Sequence, residues 1–271
     1  MNPFTPLPDE HRVLRVPAFD DNYLWLITDA AGQAVAVDPG AAEPIEQALR
    51  RHGLSLHAIL ITHHHPDHVG GVKALRQHHP VPVFGPDDPR LAGLVDHPVG
   101  EGSRVALAAI GIDFAVWHLP GHTASHLAYL GHGAAFVGDT LFSCGCGRLF
   151  EGSPAEMLHS LDRLAALPGP TLVFCAHEYT RSNAGFALLF EPDNDDLRAC
   201  FQHAASLADG DSTVPTRIAR ELAINPFLRC DQAGIRARLA QALGQEMNSR
   251  LAVFTALRAE KDRYVPAAAT R

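Results

Sequence analysis

Imidazole and carboxylate side chains crowd one short segment of the sequence, THHHPDH. Neutral imidazole and carboxylate are ligands that suit zinc, iron and manganese. His63 and His65 are two positions apart in an extended chain, so their side chains point the same way. Pro66 suits the first turn of a helix, which would bring Asp67 and His68 round to a neighbouring position. Two adjacent ligand sets in one loop favour two metal ions over one.

Three more residues of ligand type each come just after an apolar run. They are His122 after Phe114–Leu119, Asp139 after Ala134–Val137, and His177 after Thr171–Cys175. Strand ends along one edge of a packed sheet are where such side chains can converge. Alone, Asp139 would be read as a turn aspartate and His177 as a helix cap. Together with the His-rich segment they predict one shared site.

The elements that must position these residues alternate between short strands and helices. Further strand-like runs, each bounded by Gly, Pro, Asp or His, are Tyr23–Ile27, Ala34–Val37, Ala58–Ile61 and His126–Leu130. Pro44 is expected to open a helix that Gly53 closes in a left-handed conformation. Ser153 begins a capping box that leads into a helix over Met157–Leu167. These patterns predict an α/β fold with considerable sheet.

The pattern changes after Tyr179, beyond which no strand is predicted. Four helices are expected there: Asn194–Ala208, Thr216–Ala223, Gln232–Leu243 and Asn248–Lys261. Asp231 is expected to cap the third of them and Gly244 to end it. A helical second domain therefore follows the mixed first part.

Composition excludes several classes of protein. The 271 residues carry a formal net charge of −8, which argues against general nucleic-acid binding. A hydrophobic content of 46% supports a buried core, and no run approaches the ~20 apolar residues that span a bilayer. The N-terminus has neither a basic nor an apolar segment, so we expect no secretory signal. Five cysteines do not make a disulfide framework. We therefore expect a cytoplasmic protein, acting as a monomer.

Several segments resemble the metallo-β-lactamase superfamily and, more narrowly, the hydroxyacylglutathione hydrolase (glyoxalase II) family. They are THHHPDHVGG (62–71), LPGHTASH (119–126), GDTLFSCGCGRLFEG (138–152), CAHEYT (175–180), TVPT (213–216), INPF (224–227) and LRAEKD (257–262). The first is shared across the superfamily, whereas the CGCGRLFEG, HEYT and RxEKD patterns narrow it to this family. The resemblance covers almost the whole chain.

The resemblance implies a fold and a metal-ligand set. The fold is an αββα sandwich over residues 1–178, followed by an all-helical, glutathione-binding domain over residues 179–271. His63, His65 and His122 would hold one divalent ion, Asp67, His68 and His177 a second, and Asp139 would bridge the two. His64 matches a motif position that is not a ligand but supports its neighbours. Zinc is the expected metal, with iron or manganese as alternatives.

The implied reaction is hydrolysis of S-D-lactoylglutathione to D-lactate and glutathione, the second step of methylglyoxal detoxification. A hydroxide shared by the two ions, held beside Asp67 and Asp139, would attack the thioester carbonyl. The leaving thiol has a pKa near ~8.5, so it departs with little help from an acid. The family's glutathione contacts fall on Arg148, Tyr179, Arg258 and Lys261.

Other interpretations stay open at this point. The same superfamily contains lactonases and a glutathione-persulfide dioxygenase, which would need one iron, and a non-catalytic metal- or glutathione-binding protein is a third alternative. Cys144 and Cys146 form a C-x-C pair that could bind metal or respond to oxidation, but a tight glycine-flanked loop is the simpler interpretation. The segment from Asp20 to Asn22 is expected to support the metal ligands.

Overall fold

Two β-sheets lie face to face in the computed structural model, which describes residues 3–208 and 210–266. The first sheet has its strands in chain order: β1 Phe4–Pro6, β2 Arg12–Ala18, β3 Asn22–Thr28, β4 Gln33–Val37, β5 Ser55–Leu60, β6 Val83–Pro86 and β7 His97–Val99. Neighbours from β1 to β4 are antiparallel, and those from β4 to β7 are parallel.

The second sheet contains strands from both parts of the chain. Its strands are β8 Arg104–Leu107, β9 Ile112–His118, β10 Leu127–Gly131, β11 Ala134–Gly138, β14 Leu172–Cys175 and β15 Thr216–Arg217. The spatial order is β15-β14-β11-β10-β9-β8, with only β11 and β14 parallel. A small separate hairpin is formed by β12 Leu141–Phe142 and β13 Gly145–Cys146.

Helices connect several of these strands and continue towards the C-terminus. They are α1 Ala42–His52, α2 Pro66–Val69, α3 Val72–His78, α4 Pro154–Ala165, α5 Thr180–Ala187, α6 Asp195–Ser206, α7 Ile218–Ile224, α8 Ala233–Leu243 and α9 Arg250–Arg263. The predicted αββα sandwich with helices towards the C-terminus is confirmed. None of the helices in residues 3–208 and 210–266 combines the length and apolar character needed to cross a bilayer.

Alternation along β3 explains why the first sheet can be buried on both sides. Trp25 and Ile27 belong to the core between the sheets, whereas Leu24 and Leu26 pack on the opposite face in the core that includes α1 and α3. Successive side chains of a strand point to opposite faces, so the unbroken apolar run from Tyr23 to Ile27 suits burial on both sides.

The helix caps predicted at Ser153 and Gly53 are confirmed. Ser153 forms the capping box with Glu156 at the start of α4. Gly53 ends α1 with φ 63°, a left-handed conformation that glycine adopts without steric cost. Asn194 also caps α6 through its side chain.

Four expectations about boundaries are wrong. Thr216–Arg217 is strand β15, paired with β14, so the later part of the chain is not free of strands and the predicted helix begins only at Ile218. The helix through Pro44 begins two residues earlier, at Ala42. Asp231 does not cap α8, because its carboxylate binds Arg236 and Arg250 instead. Two arginines occupy the Asp231 carboxylate, so it does not accept from the helix backbone. The spacing of the sequence does not reveal these partners.

The topology brings the ligand-bearing loops together. β4 and β5 are parallel, as are β11 and β14, so within each pair the carboxyl ends meet at one edge of a sheet. An isolated bridge between Asn22 and His177 joins the two sheets at this edge. The loops after β4, β5, β9, β11 and β14 therefore converge on one cleft.

Phe136 provides a test of the core between the sheets, because its replacement by alanine would leave a cavity. This side chain is fully buried and stacks on Phe174, with ring centroids 4.8 Å apart. We expect Phe136→Ala to lower the free energy of unfolding by about 3–5 kcal/mol, measured by urea denaturation of the two proteins in parallel. Leu189→Ala is the control, since Leu189 is 56% exposed and its loss should change stability by no more than about 0.5 kcal/mol. Equal effects of the two substitutions would contradict the core assignment.

Candidate metal centre

The loop after β5 folds as its composition predicts. His65 is extended, and Pro66 then starts the single turn α2, which carries Asp67 and His68. The backbone of Gly40 packs so closely that a Cβ there would lie 1.7 Å from the carbonyl oxygen of Asp67. Glycine is required at this contact, and it fixes the turn against the end of β4.

Three imidazoles form the first ligand group. Nδ1 of His65 lies 3.0 Å from Nε2 of His63 and 3.0 Å from Nε2 of His122. Nitrogens bound to one tetrahedral zinc at about 2.0–2.1 Å are separated by about 3.3 Å, so this spacing is close to that of a ligand set. The three side chains can hold one ion.

A second group lies beside the first. Oδ2 of Asp67 is 3.4 Å from Nε2 of His68 and 3.4 Å from Nε2 of His177. These three ligand atoms lie within 4.8 Å of one another. One carboxylate with two imidazoles is a donor set that suits zinc, iron or manganese.

Asp139 lies between the two groups. Its Oδ2 is 3.4 Å from Nε2 of His122 in the first group and 3.5 Å from Nε2 of His177 in the second. Its Oδ1 is 3.5 Å from Nε2 of His68. Because Oδ2 lies near a histidine of each group, the Asp139 carboxylate can join two ion sites.

Hydrogen bonds at the opposite ring nitrogens select the ligand atoms. Nδ1 of His122 donates to the Arg148 carbonyl over 2.8 Å, Nδ1 of His177 to Asp21 over 2.8 Å, and Nδ1 of His68 to Asp38 over 3.0 Å. Donation from Nδ1 leaves the lone pair on Nε2, which faces the cluster. Such partners orient metal ligands and raise their basicity.

The cluster contains buried polar atoms without protein partners. Nε2 of His68 and Oδ1 of Asp139 make no hydrogen bond although both are shielded from solvent. Burial lowers the pKa of His68, but the carboxylates of Asp139 and Asp38 more than reverse this and raise it to about 10. The surrounding carboxylates thus favour a positive charge at this point, and a divalent cation supplies it. The residues fit a metal centre on this ground.

Sequence reasoning missed several residues around the ligands. Asp38 accepts from the backbone and hydroxyl of Thr62 and from His68, and it lies just after β4. Its position after an apolar strand is the signal that identified Asp139, and it could have been found in the same way. His126 ends the segment LPGHTASH, and the centroid of its ring lies 4.7 Å from that of the stacked His63 ring. Its Nε2 also accepts from the backbone of Asp139.

His64 and the segment from Asp20 to Asn22 are expected to support the metal ligands. His64 points away from the ligand groups, towards Asp88 at 3.7 Å and Glu151 at 3.5 Å. Asn22 donates to Asp67 over 2.9 Å, and Asp21 holds His177. Each of these contacts agrees with a supporting role.

The ligand groups open into a cleft of about 620 Å³ whose far wall comes from the later helices. All four residues expected to contact glutathione line this cleft: Arg148, Tyr179, Arg258 and Lys261. Tyr179 stacks on His177 with ring centroids 4.7 Å apart. The positive charges and the ligand groups line the same cleft, so an anionic ligand can reach both.

The positive residues of the cleft differ in exposure. Arg258 is only 6% exposed and donates to the Cys146 carbonyl and to Asp262. Arg148 is half exposed and also donates to Asp262. Burial, together with nearby Arg258, lowers the pKa of Lys261 to about 8. Half-buried Lys261 and half-exposed Arg148 are thus more accessible to a ligand than Arg258.

Comparisons with known proteins agree with this architecture. Residues 19–177 match the model of the metallo-beta-lactamase superfamily, and residues 178–264 match that of the hydroxyacylglutathione hydrolase C-terminus. A hydroxyacylglutathione hydrolase of Xanthomonas campestris pv. campestris is 49% identical over 255 residues, covering 93% of this chain and 99% of the relative. Another, of Cupriavidus metallidurans, is 50% identical over 266 residues, covering 93% and 99%. The solved structure of TTHA1623 in a di-iron-bound form has a TM-score of 0.54 and 28% identity, covering 76% of this chain and 95% of that one.

The sandwich and its clustered histidines and aspartates thus define a metallo-β-lactamase fold with a site for divalent metal. Because the second family model and relatives of nearly equal length match as well, the assignment goes further. The chain belongs to the hydroxyacylglutathione hydrolase family.

The hydrogen bond from His177 to Asp21 provides a test of the metal centre. We expect Asp21→Ala to weaken metal binding by about 10- to 100-fold, because His177 loses the acceptor that orients it. Affinity is measured by competition with a chromophoric chelator, starting from metal-free protein. Asp20→Ala is the matched control, since Asp20 is the exposed neighbour with the same charge. Equal losses in both variants would show that only the net charge matters.

Proposed function

We propose that this chain hydrolyses S-D-lactoylglutathione to D-lactate and glutathione, with two divalent ions held by the ligand groups described above. One observation carries the proposal: the cleft into which both ligand groups open is also lined by Arg148, Arg258 and Lys261. A thioester of a peptide with two carboxylates needs this combination of an electrophilic centre and nearby positive charge.

We assign the ions to the two groups joined by Asp139. The first ion takes His63, His65 and His122, and the second takes Asp67, His68 and His177. Two divalent ions supply, when bound, a water of lowered pKa and an electrophile for the thioester oxygen. Zinc is the proposed metal, with iron or manganese as alternatives that the same donor set accepts.

The chain's own residues orient the substrate. Lys261 and Arg148 are placed to bind the glutathione carboxylates, and Tyr179 offers a hydroxyl and a ring face at the entrance to the ligand groups. Burial raises the pKa of Tyr179 to about 12, so its hydroxyl donates a hydrogen bond at neutral pH. The ring of Phe150 lies 5.5 Å from that of His65 and 5.3 Å from that of His122, so it gives the cleft an apolar edge beside the first ligand group.

A thiolate leaving group does not require a proton-donating acid in the site. A thiol with a pKa near ~8.5 leaves as the thiolate at neutral pH, whereas an amine would require a proton from an acid. Tyr179 lines the cleft and stacks on His177, and its raised pKa makes it a weak acid. This arrangement favours thioesters over lactams as substrates.

We further propose how the activity is divided and where it acts. Residues 1–178 form the catalytic unit and residues 179–271 the glutathione-binding unit, although β15 of the latter completes the second sheet. The five cysteines are all unpaired thiols, which agrees with a reducing cytoplasm. We also propose an active monomer, because one chain supplies all of the proposed metal ligands and glutathione contacts.

The proposed reaction is tested by thioester loss and thiol release from S-D-lactoylglutathione, with metal analysis of the same sample. We expect hydrolysis with two ions per chain, and near-complete loss of both activity and one ion in His65→Ala. His57→Ala is the control, since this histidine lies outside the cleft. Metal-loaded protein that releases no thiol would refute the proposal. One iron per chain with oxygen consumption would instead indicate a dioxygenase.

The lowered pKa of Lys261 predicts a pH dependence of substrate binding. Lys261 is charged below a pKa of about 8 and neutral above it, so the contact with a glutathione carboxylate is lost as pH rises through this value. We expect kcat/KM to fall by about tenfold above pH 8, the effect of one charge-assisted hydrogen bond, with KM changing more than kcat.

Lys261→Arg separates this effect from other titrations, because arginine keeps its charge throughout the same range. The fall in kcat/KM should disappear in this variant. An unchanged fall would assign the titration to another group.

A further inference from the structure

Hairpin β12–β13 is a structural feature that the proposed reaction does not itself use. Its strands have two residues each, joined by the two-residue turn Ser143–Cys144. An isolated two-stranded hairpin is marginally stable even when it is longer. Cys144 has φ 57°, a conformation that L-residues adopt at a steric cost. Contacts from elsewhere must therefore hold this hairpin in shape.

Buried side chains of the later helices bind the hairpin backbone at five consecutive residues. Asn225 donates to the carbonyls of Phe142 and Gly145 over 3.1 and 3.0 Å. Glu221 accepts from the N–H of Cys144 over 2.8 Å. The other two contacts are Asn183 to the Ser143 carbonyl at 3.1 Å and Arg258 to the Cys146 carbonyl at 2.8 Å.

Glu221 and Asn225 are unusual among these side chains because both are fully buried. Burying a carboxyl group is costly unless its oxygens accept hydrogen bonds. Thr216 donates to one oxygen of Glu221 over 2.6 Å, and the other faces Cys144 and Asn225. Helix packing alone would be served by an apolar residue, so this polar arrangement serves the hairpin backbone.

The chain that leaves the hairpin contacts two of the proposed metal ligands directly. The carbonyl of Arg148 accepts the Nδ1 proton of His122 over 2.8 Å. Gly147 packs so tightly that a Cβ there would lie 2.0 Å from the Asp139 carbonyl oxygen and 3.1 Å from Nδ1 of His122. A shift of the hairpin would therefore displace the acceptor that orients His122.

We propose that Glu221 and Asn225 are positioning residues for the metal centre, because they fix hairpin β12–β13 and thereby place the Arg148 carbonyl that orients His122. Neither residue contacts a ligand or lines the cleft. Through them, the later helices set the geometry of the first ligand group as well as forming the cleft wall. This inference rests on the ligand assignment in the proposed function.

The test measures metal affinity of the full chain, so it does not depend on turnover. Metal-free protein is titrated with zinc in competition with a chromophoric chelator. We expect Glu221→Leu to weaken one of the two ions by about 10-fold or more, the effect of losing a partner that orients a ligand. The conservative Glu221→Gln keeps an oxygen for the Cys144 N–H and should recover most of the lost affinity. Asn225→Ala is a second, independent variant should Glu221→Leu fail to fold.

Ile235→Ala is the control for general destabilisation. Ile235 is fully buried in α8 of the same region and makes no hydrogen bond to the hairpin. We expect it to lower the free energy of unfolding while both ions bind as in the unmodified protein. The inference is overturned if Glu221→Leu and Asn225→Ala bind both ions normally, or if Ile235→Ala loses as much affinity at equal stability.

Failure of the proposed function gives a different result. If the unmodified protein binds fewer than two ions, or if His122→Ala leaves both affinities unchanged, the ligand assignment itself is wrong. Normal behaviour of those two proteins together with normal binding by both hairpin variants rejects only the positioning role.

Discussion

The structure depends on how negative charge is compensated at one edge of the β-sandwich. Asp38 and Asp139 are buried, and each lies within 3.5 Å of a nitrogen of His68. Carboxylates are excluded from protein interiors unless they are paired or bind a cation. The strand ends, the close glycine contacts and the outer hydrogen bonds all keep these groups together. A divalent ion at the cluster relieves the repulsion that this proximity creates.

The later helices contribute to the same centre from two directions. Lys261 presents charge to the cleft, whereas Glu221 and Asn225 act from behind it on the hairpin backbone. Arg258 takes part in both, since it lines the cleft and donates to the Cys146 carbonyl. In the proposed assignment, one group of helices therefore affects both substrate binding and ligand geometry, and β15 pairs with β14 of the second sheet.

Local signals in the sequence predict much of the fold and most of the ligand cluster. Apolar runs that end in His or Asp locate the strand ends, and Ser153 and Gly53 locate helix boundaries. The missed features depend on partners distant in sequence. Glu221 has the spacing of an ordinary helix residue. The sequence does not reveal that it is buried or that it accepts a hydrogen bond from the backbone of Cys144, 77 residues away. β15 has only two residues, which is too short for an alternating pattern, so only its pairing with β14 identifies it as a strand.

Anomalous diffraction from crystals of the metal-loaded protein, collected on both sides of the metal's absorption edge, tests the central claim most directly. The account predicts two peaks, one among His63, His65 and His122 and the other among Asp67, His68 and His177, with Asp139 between them. The edge at which the peaks appear also identifies the metal. A single peak, or peaks remote from these residues, would contradict the account.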